Sequence, residues 1–176
     1  MSVSVPPNWS ELRSAIDQAS QAARVAALSP RYPLVSQLAP LGALPTAPGC
    51  ARAHVRSTLA RWEMSAYEEV AELLISEMVT NAVEASTDDS GQPIYVGDRM
   101  PVVVVRLVAI EDGLVLEVWD VMPTVPVLQQ TSTWDDRGRG LLLLQALAHR
   151  WNWTTVPDWP GKCVWAELRS SSLPAV

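Results

Sequence analysis

Two runs rich in β-branched residues, VVVVRLVAI (102–110) and LVLEVWD (114–120), are joined by Glu111-Asp112-Gly113. Val and Ile suit a pleated, packed surface, and an Asp-Gly pair supplies the positive φ of a tight turn, so this stretch is predicted to be an antiparallel hairpin. WNWTTV (151–156) and KCVWAELR (162–169), separated by Pro157-Asp158-Trp159-Pro160-Gly161, predict a second, closing hairpin. A chain committed to hairpins must cover their apolar faces with helices.

Three helical stretches are available for that. PGCARAHVRSTLARW (48–62) sets Ala51, Val55, Leu59 and Trp62 on one side and arginines on the other. AYEEVAELLISEMVTNAVEAS (66–86) has no proline or glycine and opens with acids that suit the positive end of a helix. GRGLLLLQALAHR (138–150) starts a third helix at glycines. Thr87 to Pro101 is turn-rich and predicts a loop with a short strand at Ile94–Val96. The segment from Val121 to Gly140 has two prolines and no sustained period, which predicts a lid-like connection of roughly fifteen residues. Helix, helix, hairpin, lid, helix, hairpin predicts an α/β fold: a two-layer α/β sandwich with one mixed, mostly antiparallel sheet and helices on one face.

Ahead of this unit, Trp9 to Leu28 predicts a helix with a narrow face of small residues, including Ala15, Ile16 and Ala19, suited to packing on the domain or on a partner. SPRYPLVSQLAPLGALPTAP follows, where prolines predict an extended connector. The expected organisation is an N-terminal extension over 1–46, a domain over 47–170 and a tail over 171–176.

The net charge of −6 with scattered basic residues leaves no cationic stripe for a phosphate backbone, so nucleic acid is not an expected partner. No run approaches the ~20 apolar residues of a membrane span and no leader is visible at the start, so the expected location is cytoplasmic. Cys50 and Cys163 lack metal-ligand spacing and are expected to be reduced and buried. Lys162 is the single lysine, and the skew toward arginine is read as compositional, without a chemical role. His54 and His149 are read as helix histidines, and the tryptophans Trp62, Trp119, Trp151, Trp153 and Trp165 as core or sheet-face residues.

Some residues point to chemistry. Glu77 and Asn81 stand four apart on the second helix, about 6 Å apart at Cβ, on a helix that is apolar around most of its circumference. Asp120 ends an apolar strand where alternation places it inward, and a buried carboxylate needs a donor such as the exocyclic amine of a purine or the amide of a following turn. Gly138 and Gly140 bracket Arg139 at a helix start, where free amides and the helix dipole favour phosphate.

SEMVTNAVEAS resembles the N-box of the GHKL superfamily of gyrase-type ATPases, histidine kinases and anti-sigma kinases. LEVWD resembles its first glycine box, RGRGLLLLQALAHRW its second, and GKCVWAEL its closing strand, in the same order, across roughly Thr46 to Arg169. Within that superfamily the chain resembles the compact anti-sigma-factor serine kinases. The resemblance implies a Bergerat-type fold that binds ATP and Mg²⁺, with Asn81 on the metal, Glu77 serving the attacking hydroxyl and Asp120 holding adenine. It further implies that Gly138, Gly140 and the Leu141 amide wrap the phosphates while Arg137 or Arg139 faces the γ-phosphate. The implied function is a serine/threonine kinase of a partner switch, acting on a sigma factor or an anti-anti-sigma protein, with a homodimer as the expected assembly. Val121, Met122 and Pro123 stand where the family has glycines, and Cys163 where many relatives carry an adenine-reading threonine. These departures leave a second reading, a regulator that keeps the fold and acts by protein contact with weak or absent ATP binding.

Overall fold

A computed structural model describes residues 34–124, 126, 139–155 and 161–170, together with residues 13, 14, 16, 18 and 20. The elements are β1 (Val35–Gln37), β2 (Leu41–Gly42), α1 (Ala47–Arg61), a 3₁₀ turn (Ser65–Tyr67), α2 (Glu68–Ala85), β3 (Val102–Ile110), β4 (Gly113–Asp120), α3 (Arg139–Leu147), β5 (Arg150–Thr155) and β6 (Lys162–Arg169). They form a six-stranded sheet in the order β1-β3-β4-β6-β5, with β2 also on β3. Every pairing among the described residues is antiparallel, so the sheet is not mixed.

Both predicted hairpins form. In the first, Ile110 faces Gly113, and the positive φ of 56° falls on Asp112. Gly113 is already in the strand, and its missing side chain serves a close approach instead: a Cβ there would lie 2.4 Å from the Leu168 carbonyl oxygen. The expected Asp-Gly turn is therefore displaced by one residue. The stretch expected as an extended connector supplies β1 and β2, so the chain before Thr46 is continuous with the sheet.

Alternation along the strands divides the core. Val103, Val105 and Leu107 of β3, Leu114, Leu116 and Val118 of β4, and Val164, Ala166 and Leu168 of β6 meet the helices in one cluster. Helix α1 contributes Ala51, Val55 and Leu59, and α2 contributes Val70, Leu74, Ile75, Met78 and Val79. Each Val, Leu, Ile or Met among them, fully buried, contributes roughly 1.5–3 kcal/mol. Leu73 is exposed, so the solvent side of α2 is less uniformly closed than its composition suggests. Arg56 of α1 grips both Glu72 carboxylate oxygens at 2.8 and 2.7 Å, fixing α1 beside α2. Pro48 sits in the first turn of α1, where a missing N–H costs nothing.

The opposite face is not left bare. Val104, Trp119, Val121 and Cys163 pack around Ile16, which is fully buried, and the Ser20 hydroxyl donates to Glu117 Oε1 at 2.7 Å. Ile16 and Ser20 of the N-terminal stretch thus pack on their own domain. Beside it, Glu167 of β6 accepts from Arg150 and Arg169, and Arg106 and Glu117 lie side by side with their charged atoms 3.7 Å apart. Between Thr87 and Pro101 the predicted strand at 94–96 is replaced by isolated bridges, Thr87 with Pro93 and Val96 with Arg99.

Candidate functional site

The N-terminus of α3 is pressed onto the polar pair of α2. Leu141 and Leu144 anchor α3 in the core, which brings Gly140 against α2 so closely that a Cβ on it would lie 2.8 Å from Asn81 Nδ2 and 3.0 Å from Glu77 Oε2. Glu77 and Asn81 are half-buried. Three of the expected residues, Glu77, Asn81 and Gly140, therefore share one locus, and a side chain at 140 would have to displace the ends of the other two. Leu141 follows at 7% exposure, with its amide in the first turn of α3. The backbone of Arg139 opens α3; its side chain, together with Arg137 and Gly138, lies outside the described residues, as does most of the expected lid.

Asp120 ends β4 on the helix-bearing side, in line with Leu114, Leu116 and Val118. Its Oδ1 accepts from the Met122 amide at 2.9 Å and from Lys162 Nζ at 2.9 Å, and the same ammonium donates to the Met122 carbonyl at 3.2 Å. Both charged side chains are buried, Asp120 at 3% and Lys162 at 5% exposure. Burial raises the Asp120 carboxyl above its ordinary value, an effect that the Lys162 charge and hydrogen bond and the Met122 amide offset only in part. Gly161, at φ 151°, lets the β6 entry pass close to Asp120, since a Cβ there would lie 2.1 Å from the Asp120 carbonyl oxygen.

Cys163 does not face this corner. It pairs across from Trp119 and packs with Ile16 on the far side of the sheet, where burial drives its thiol well above the ordinary range. The residue opposite Asp120 is Lys162. Cys163, expected beside the adenine-reading carboxylate, thus lies on the other face, because one residue along a strand reverses the face. The signal was present: Val164, Ala166 and Leu168 alternate inward, and the same period carries Lys162 inward. Cys50 is exposed, contrary to expectation. His54 is half-buried against Ser36, with burial and Arg61 holding its pKa down against the Ser36 hydrogen bond, while His149 is exposed.

Residues 41–168 match the family described as the histidine kinase-like ATPase domain. The chain belongs to that family. No curated protein matches it. A histidine kinase-like ATPase domain implies ATP, usually with Mg²⁺. The residues expected at the phosphates fit: Gly140 lies directly against Glu77 and Asn81, and Asn81 offers one amide oxygen, enough for an ion that takes most of its ligands from phosphates and water. At the base end the carboxylate that would read adenine is already engaged by an ammonium. No helix among the described residues is long and apolar enough to cross a membrane.

Proposed function

We propose that this histidine kinase-like ATPase domain is an ATP-binding regulator that phosphorylates a serine or threonine of a protein partner, in a switch of the anti-sigma and anti-anti-sigma kind, in the cytoplasm. The observation that carries the reading is the seating of Gly140 on Glu77 and Asn81. ATP with Mg²⁺ supplies an activated phosphoryl group. Asn81 would hold the metal through its amide oxygen, and the α3 amides at Gly140 and Leu141, with Gly138 proposed alongside them, would receive the phosphate charge. Arg137 or Arg139 adds positive charge beside the transferring group. Glu77 takes the proton of the attacking hydroxyl, a contribution of typically 10²–10⁴-fold. Asp120 is the residue on the adenine side, and a homodimer is the proposed assembly, tested by light scattering.

Glu77→Ala should keep nucleotide binding and partner binding and lose transfer of labelled γ-phosphate to the partner's serine. Undiminished transfer would refute the role of Glu77. The second reading, a domain that acts by protein contact without transfer, is favoured by one observation, the buried Lys162–Asp120 pair. Wild-type protein that binds its partner yet labels no serine would support it.

A further inference from the structure

We propose that Lys162 is an internal competitor for the adenine-reading carboxylate, so that this domain holds a nucleotide by its phosphates and takes little binding energy from the base. The inference rests on the nucleotide-binding reading and concerns the specificity of that site. Three observations carry it. The Lys162 ammonium stands 2.9 Å from Asp120 Oδ1, and both groups are almost wholly buried. The pair is fixed from both strands, because Gly161 brings β6 against the Asp120 carbonyl and the Met122 amide and carbonyl clasp the two side chains. Lys162 is also the single lysine of the sequence, placed at the one inward position opposite Asp120.

The chemistry is a contest between donors. Both donors would make a charge-assisted bond to the carboxylate, but the exocyclic amine is neutral, whereas the ammonium adds the attraction of a full opposite charge. For adenine to engage Asp120 Oδ1, the ammonium must leave its carboxylate in a buried place, which is costly. A nucleotide therefore gains little from Oδ1 unless Lys162 gives way, and the ammonium also weakens what the rest of the carboxylate can offer a neutral donor. Threonine in its place supplies a hydroxyl that satisfies one oxygen lone pair and leaves the carboxylate open to the purine amine.

The test is equilibrium titration of the full chain with Mg-ATP and with Mg-tripolyphosphate, which lacks the base. Wild type is expected to bind both within about threefold. Lys162→Thr is expected to bind ATP about tenfold more tightly and tripolyphosphate unchanged, as one recovered hydrogen bond to a charged group allows. Lys162→Met, of similar length without charge, provides a second variant, and thermal melts check that both are folded. Equal or weaker ATP binding by folded variants would overturn the inference. So would wild type that prefers ATP to tripolyphosphate by tenfold with the preference lost in Asp120→Ala, a comparison that decides the matter even if the Lys162 variants do not fold. Failure of every form to bind either ligand overturns it together with the nucleotide reading. Tighter ATP binding by Lys162→Thr without transfer to any protein supports it and leaves only the kinase reading to fall.

Discussion

Single side chains decide most of the electrostatics of this domain, and two buried carboxylates show opposite signs. Burial works to raise Glu167, but hydrogen bonds and charge from Arg150 and Arg169 outweigh it and hold the carboxyl below its ordinary value of 4.5. A depressed folded pKa gives stability that is full above the unfolded pKa and is lost as pH falls through the folded one. Glu167→Gln should therefore be less stable than wild type at pH 7, by about 1–3 kcal/mol, with the gap closing as pH falls below 4.5, as read from thermal melts across pH. Asp120 is raised, so its ionisation favours unfolding as pH climbs above the ordinary 3.8, and its ion pair with Lys162 limits that cost. Asp120→Ala leaves the Lys162 ammonium buried without its carboxylate and should lose about 3–5 kcal/mol in denaturant titrations. At this scale the sequence was legible where a residue type was unusual for its place, as with Asp120 closing an apolar strand. It was not legible where the meaning depended on a partner across the sheet: nothing local to Lys162 names Asp120, which lies 42 positions away.

Elements were read best where a period was long. Helix α2 was expected over 66–86 and runs Glu68–Ala85, and β3 and β4 form where β-branched residues crowd. Turns were read less well, because a single residue's shift in register exchanges a turn position for a strand position, as at Gly113. The two roles predict different mutants. Gly113→Ala drives a Cβ to 2.4 Å from a backbone oxygen of β6 and should destabilise by about 1–3 kcal/mol. Gly49, exposed in the first turn of α1, has its nearest neighbour atom at 3.9 Å, and Gly49→Ala should stabilise by about 0.5–1 kcal/mol. Chemical denaturation of the pair checks both signs at once. Helix α3 joins element to function: its apolar stripe buries Leu141 and Leu144, and that burial sets Gly140 on the α2 pair.

Taken whole, the molecule is a sheet covered on both sides, with helices on one and the N-terminal residues Ile16 and Ser20 on the other. The sequence announced the first layer through helical periods. It left open whether the small-residue face at Ile16 met the domain or a partner, because a narrow apolar stripe does not say what it packs on. Ile16→Asp should cost about 4 kcal/mol or more by burying an unpaired charge, against almost none for Gln18→Ala at an exposed position. The central claim is that α2 and α3 together make a phosphate and metal site, and calorimetric titration of the full chain with ATP tests it most directly. The expected result is saturable binding of one nucleotide per chain in Mg²⁺, weakened about tenfold or more by Asn81→Ala, with little change from that substitution when Mg²⁺ is withheld. Binding that Asn81→Ala weakens equally with and without the metal, or no saturable binding by wild type, would contradict it.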